Sequence, residues 1–293
     1  SDFSLYNAVF LIPLIFEGQN YWKLRLNPFT ISKPIKGANM IIEDKIKNKL
    51  EEIEKKENIR ILFAVESGSR AWGFASPDSD YDVRFVYVRS EKDYLKLDTF
   101  KDVIEWQLDD VFDINGWDLQ KALKLLHSSN PALFEWLYSP IIYKTSQEHE
   151  ALKELSKEYF NTYKSANHYI SMANRDYNAY LYKDIVSLKK YFYAIRPILA
   201  ARWVLKNKSN PPVPFLELIE KELCEKDIKL ETEKLLKQKY VISELGQSKK
   251  NELLNQFISQ EIKHLKVQAN NEKDTYRDWS QLNQFFLNIV KSS

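Results

Sequence analysis

The sequence predicts an α+β protein, a small mixed sheet followed by an all-helical half. Three observations carry that class. Residues 59–65 are a nearly continuous apolar run of strand length, as a covered central strand requires. Residues 81–88 read as a second strand, separated from the first by a Gly68-Ser69 turn and a polar loop. From Ser146 onward almost every stretch has helical periodicity, with one rigid interruption at Pro211-Pro212.

The elements follow in order. Residues 1–39 mix aromatic and β-branched residues with Gly18, Pro28, Pro34 and Gly37, and read as an N-terminal extension; the apolar stretch 5–16 is a strand or a docking segment. Residues 41–57 place Ile42, Ile46, Leu50 and Ile53 on one helical stripe. After strand 59–65, residues 70–74 form a short helical turn and Ser76-Pro77-Asp78-Ser79 a loop. Strand 81–88 comes next, then short strands at 102–108 and 111–114 around Asp109-Asp110, with Asn115-Gly116 breaking the pattern. Asp118 is placed to cap a helix over 119–126, and Pro131 opens another running to Leu137. Helices are expected at 149–157, 163–174, 181–205, 214–223, 228–245, 249–270 and 275–290. The organisation is then an extension (1–39), a mixed-sheet domain (40–143) and a helical domain (144–293).

Composition narrows the function classes. At 293 residues, with 44% hydrophobic and 29% charged residues, the chain is an ordinary globular one. A net charge of +2 gives no sign of bulk nucleic-acid binding and leaves only a locally basic groove. Cys224 is the only cysteine, which excludes a disulfide framework and a thiolate zinc site; it reads as a small buried hydrophobe in an amphipathic helix. No apolar run is long enough to cross a bilayer, and 5–16 has neither a basic segment before it nor a cleavage pattern after it. A cytoplasmic protein with no membrane partner is expected.

The chemistry concentrates in Glu66-Ser67-Gly68-Ser69-Arg70-Ala71-Trp72-Gly73 and Ser79-Asp80-Tyr81-Asp82. Alternate strand residues share a face, so Asp80 and Asp82 project together and can hold hard divalent cations. Gly68 permits a backbone that a Cβ would hinder, and Ser69 offers N–H and hydroxyl to phosphate oxygens. Asp113 is the preferred third carboxylate; Asp110 and Asp118 compete, the latter with its carboxylate engaged in capping. Arg70 or Arg84 would add charge near the phosphates, although parity puts Arg84 on the carboxylate face as a neutraliser. Trp72 and Phe74 read as packing under the loop. A Ser-Asp-x-Asp string is common in turns and Gly-Ser alone says little; the ordered spacing after a buried-type strand is what points to catalysis or nucleotide binding. In the helical half, Lys189, Tyr193 and Arg196 share one helical face with Lys190 beside them. Across a cleft that face would grip a triphosphate while Tyr193 stacks on a base or ribose. The plainer alternative is core aromatics and solvated lysines.

With these strings, and with Asp113-Ile114-Asn115-Gly116-Trp117-Asp118-Leu119, Asn130-Pro131, Glu135-Trp136-Leu137 and Lys189 through Pro197, the chain resembles the DNA polymerase β-type nucleotidyltransferase superfamily. More narrowly it resembles bacterial and phage nucleotidyltransferases found beside RNA-repair ligases. The likeness runs from about Met40 to at least Pro214. It implies a Mg²⁺-dependent enzyme, with Mn²⁺ as the substitute ion, that uses a nucleoside triphosphate, ATP being favoured. Asp80, Asp82 and Asp113 would be catalytic and metal-binding. Gly68, Ser69, Arg70, Lys189, Lys190, Tyr193 and Arg196 would bind the nucleotide. The favoured acceptor is an RNA or tRNA 3′ end. Protein AMPylation, small-molecule nucleotidylation and a non-catalytic nucleotide- or RNA-binding partner stand as alternatives, and a homodimer is left open.

Overall fold

A computed structural model describes residues 11–16, 19–24, 36–76, 79–98, 100–109, 111–241 and 246–292. It divides into two units, Ser1–Ile46 and Lys47–Ser293. In the first, β1 (Leu11–Phe16) and β2 (Gln19–Leu24) form an antiparallel hairpin with Leu11 opposite Leu24 and Phe16 opposite Gln19. Helix α1 (Lys36–Glu57) begins in this unit and continues into the second.

The second unit is built on a five-stranded sheet: β3 (Arg60–Glu66), β4 (Tyr81–Val88), β5 (Val103–Asp109), β6 (Phe112–Asp118) and β7 (Ile142–Lys144), in the order β5-β6-β4-β3-β7. Only β4 and β6 pair in parallel. Six consecutive residues of β3, Ile61 to Glu66, are buried, which is why its sequence is apolar without alternation. Strand β6 runs through Asn115-Gly116, where the sequence suggests a break. Gly116 lies opposite Phe85 on β4, and a Cβ there would come within 2.1 Å of the Phe85 ring. The glycine makes room for a neighbouring side chain inside a continuous strand.

The sheet packs beneath α4 (Leu119–His127), α5 (Pro131–Leu137) and α6 (Gln147–Tyr159). Asp118 caps α4 by accepting from Gln120 N at 2.8 Å, and Asn130 caps α5 with Pro131 in its first turn. The last helix, Ser280–Lys291, places Leu282, Ile289 and Val290 in this same core, and His127 stacks on Trp279 at 3.7 Å. The C-terminal end therefore packs with the sheet.

A second core joins α7 (Thr162–Asp176), α8 (Lys189–Asn207), α9 (Phe215–Glu222), α10 (Lys226–Val241) and α11 (Glu252–Asn270), leaving α12 for Ser280–Lys291. Single-turn helices α2 (Gly68–Ala71) and α3 (Glu91–Tyr94) follow β3 and β4. Two expectations are corrected here. The single helix over 181–205 is instead a π-helical turn, Tyr177–Leu181, then strand β8 (Ile185–Ser187) paired with β9 (Gln247–Lys249), then α8. Helical spacing cannot register a strand whose partner lies sixty residues further on. Cys224 is exposed in the connection after α9; Leu223 beside it takes the place in the core. Among the described residues no helix is long and apolar enough to cross a membrane.

Candidate active site

Strand β3 ends at Glu66, and the chain turns through Ser67 into α2. Gly68 has φ +59°, in the left-handed region where a side chain is strained. A Cβ on it would lie 2.2 Å from Asp82 Oδ2. The glycine thus serves both the turn and the close approach of the Asp82 carboxylate. Ser67 N donates to Asp82 O at 2.8 Å, and Asp82 N donates to Glu66 Oε1 at 2.9 Å. The end of β3 and the start of β4 are stitched together at the residues that matter for the site.

Asp82 faces Asp113 in the parallel β4–β6 register. One guanidinium lies between them: Arg84 Nη2 donates to Asp82 Oδ1 at 3.0 Å and to Asp113 Oδ2 at 2.7 Å. Its other terminal nitrogen donates to Asp113 O at 2.9 Å. Burial raises the Asp82 carboxyl above its ordinary range; Arg84 opposes that, while Asp113 and Asp80 add to it. Asp80 is exposed, immediately before β4. Arg70 donates to the carbonyls of Asp80 at 3.0 Å and Ser79 at 2.5 Å and stacks on Tyr81 at 3.7 Å. Arg70 therefore clamps the approach to β4 by its backbone. Ser69 is partly exposed one residue after Gly68.

Among the described residues no group of three or more His, Cys, Asp or Glu is arranged to hold a metal ion. The donor set is nevertheless of the right kind, all carboxylate oxygen, and it already accommodates a positive charge, that of Arg84. Asp118, an expected alternative to Asp113, is buried as the α4 cap and accepts from Tyr94 Oη at 2.9 Å. Asp110, the other alternative, lies outside the described residues.

The opposite wall comes from α8. Lys189 is exposed at its first turn. Burial raises the Tyr193 phenol, and the charges of Asp82, Asp176 and Asp80 raise it further, so the ring stands within electrostatic reach of the carboxylates. Tyr193 packs edge-on to Trp72 at 5.8 Å, and the Lys190 ammonium lies 5.1 Å from the Tyr193 ring. Arg196 departs from the expectation of a phosphate ligand. It is 2% exposed, bonds Glu135 at 2.8 Å and Val213 O at 3.0 Å, and covers the Trp72 ring at 4.4 Å. Lys189 is exposed at the start of α8, whereas Arg196, seven residues on and on the same helical face, is buried.

Two residues to which the sequence motifs assigned no role shape the site. Glu66 is fully buried and also accepts from Tyr143 Oη at 2.5 Å; burial lifts its carboxyl to about 7. The available signal was a carboxylate closing an otherwise apolar strand. Glu135 accepts from Trp72 Nε1 at 2.9 Å as well as from Arg196 and Tyr169, and so ties the Gly-Ser segment to α7 and α8. Phe74 completes that tie, lying 5.3 Å from Phe192 and 5.6 Å from Phe215 in the helical core.

Residues 42–288 match the RlaP family, described as RNA repair pathway DNA polymerase beta. The chain is 42% identical over 252 residues to the uncharacterized protein YcgL of Bacillus subtilis (strain 168), covering 85% of this chain and 97% of that one. It is also similar to a nucleotidyltransferase-like protein from Exiguobacterium sibiricum, with 12% identity and a TM-score of 0.30 over 85% of this chain and 80% of that one, a likeness too slight to bear on function.

Proposed function

The chain belongs to the RNA repair pathway DNA polymerase beta family, and from that premise we propose that it transfers a nucleoside monophosphate from a nucleoside triphosphate to a hydroxyl, with an RNA 3′ end as acceptor and ATP as the favoured donor. The observation that carries the reading is the facing pair Asp82 and Asp113, held across two parallel strands beside the left-handed Gly68 turn. Asp80, Asp82 and Asp113 would hold Mg²⁺, or Mn²⁺ in its place, which when bound neutralises phosphate charge and lowers the pKa of the attacking hydroxyl. Gly68 and Ser69 offer backbone and hydroxyl donors to the β- and γ-phosphates. Lys189 would add charge from the opposite wall, and Tyr193 would provide a ring for the base or ribose. Asp113, the more exposed of the bridged pair, would accept the proton of the incoming hydroxyl. The acceptor oxygen bonds to the α-phosphorus as the bond to pyrophosphate breaks.

In this reading Arg196 and Glu135 hold Trp72 and the Gly-Ser segment against the helices, and Arg70 fixes Asp80 by its backbone. The Arg84 bridge favours a second reading, in which the guanidinium never yields and the protein binds nucleotide or RNA without turnover. Pyrophosphate release from each of the four NTPs, with Mg²⁺ and with or without small RNA, separates the two. The first reading expects RNA-dependent release by wild type and none by D80A/D82A. Silence from both proteins, with ATP binding intact in wild type, favours the second.

A further inference from the structure

Beyond Tyr193 the cleft wall continues as a stack. The Lys190 ammonium sits 5.1 Å from the Tyr193 ring and 3.9 Å from the ring of Tyr180. Tyr180 belongs to the π-helical turn Tyr177–Leu181 and is 43% exposed. Trp72, Tyr193, Lys190 and Tyr180 therefore form a continuous run from the Gly-Ser segment outward to solvent. An exposed ring gains little for folding, and π-helical turns are rare in helices and concentrate at functional positions.

The turn has a rigid base. Leu181 is fully buried, and its carbonyl accepts from Asn255 Nδ2 at 2.7 Å. Asn255 is itself buried and accepts from Tyr191 Oη at 2.8 Å, while that hydroxyl accepts from Asn251 N at 2.7 Å. A buried, satisfied network fixes the turn from below, so Tyr180 is presented to solvent on a fixed mount.

We propose that Tyr180 and Lys190 form an outer subsite for a single-stranded RNA acceptor. A base near the 3′ end stacks on the exposed Tyr180 ring, Lys190 meets the adjoining phosphate, and the 3′ hydroxyl continues past Tyr193 toward Asp82 and Asp113. Rings alternating with cations suit a single strand, because every base offers a π-face and every linkage a charge. The proposal rests on the nucleotidyl-transfer reading and extends it to the acceptor. Its test needs no turnover.

Fluorescence anisotropy of a labelled ten-nucleotide RNA, without NTP or divalent ion, is measured for wild type, Y180A, Y180F and K190Q, with ATP binding measured calorimetrically in parallel. Y180A is expected to weaken RNA binding about tenfold or more, with ATP binding unchanged and Y180F restoring the affinity. K190Q is expected to reduce the slope of log K against log salt by about 0.7, the loss of one single-strand phosphate contact. Equal RNA affinity in wild type and Y180A would overturn the subsite, as would loss of ATP binding alone, which assigns the ring to the donor. So would failure of wild type to bind the RNA at low salt. Pyrophosphate release with a protein or small-molecule acceptor in that last case would leave nucleotidyl transfer standing and remove only the RNA subsite.

Discussion

Replacing Arg84 by alanine tests how the carboxylates are kept together. Its Nη2 bridges Asp82 and Asp113 at 3.0 and 2.7 Å, with the arginine side chain 17% exposed and the two acids 29% and 57% exposed. A hydrogen bond to a charged group contributes about 1.5–3 kcal/mol, and the exposure of Asp113 draws the pair toward the low end. A cation entering between the carboxylates must displace that contact. Its removal should strengthen binding by about 1.5 kcal/mol, close to tenfold. Mn²⁺ binding followed by electron paramagnetic resonance reads this directly without nucleotide. R84A should bind Mn²⁺ about tenfold more tightly than wild type. It should also melt earlier in chelator, since Asp82 then faces Asp80 and Asp113 with only the Arg70 charge to oppose them. Unchanged or weaker Mn²⁺ affinity would refute the idea that Arg84 occupies a cation's place.

Further outcomes follow from the same geometry. G68A should lose transfer activity by a hundredfold or more while losing only about 1–2 kcal/mol in urea unfolding, because the new methyl meets Asp82 Oδ2 in a positive-φ turn; retained activity would count against the close approach. E135A should cost about 3–5 kcal/mol, since it strands the buried Arg196 charge; a cost under 1 kcal/mol would mean the tie is dispensable. His149 is buried against Phe63 at 4.2 Å, and burial lowers its imidazole from 6.5 to about 4. Its folded pKa lies below the unfolded one, so wild type should lose up to about 3 kcal/mol relative to H149F as pH falls from 6.5 to 4. Glu66 and Asp118, raised to about 7 and about 6, work in the opposite sense: their contribution is present at low pH and lost as pH rises through those values. The difference between the two proteins, measured at each pH, isolates the histidine, and a pH-independent difference would contradict its assignment.

The sheet and its carboxylates were legible because they obey local rules. Period-two alternation placed Arg84 with Asp82, and the structure puts the two in a salt bridge. The extent of β3 followed from a covered apolar run and that of α5 from Pro131. What escaped depends on partners remote in sequence. Gly116 looked like a breaker until Phe85 was set opposite it, and β8 exists only through β9. Arg196 has the right spacing for the cleft face, but it is buried and meets Glu135, sixty-one residues earlier. The π-helical turn under Tyr180 leaves no periodic mark at all.

The central claim is nucleotidyl transfer to an RNA 3′ hydroxyl, and α-³²P-labelled NTP incorporation tests it most directly. Each NTP is incubated with Mg²⁺, the protein and matched small RNAs ending in a 3′ hydroxyl or a 3′-deoxy terminus. Label should enter only the 3′-hydroxyl RNA, with D82N inactive. Absence of label with every NTP, while ATP and RNA both bind, would contradict the account and leave a binding protein built on a nucleotidyltransferase fold.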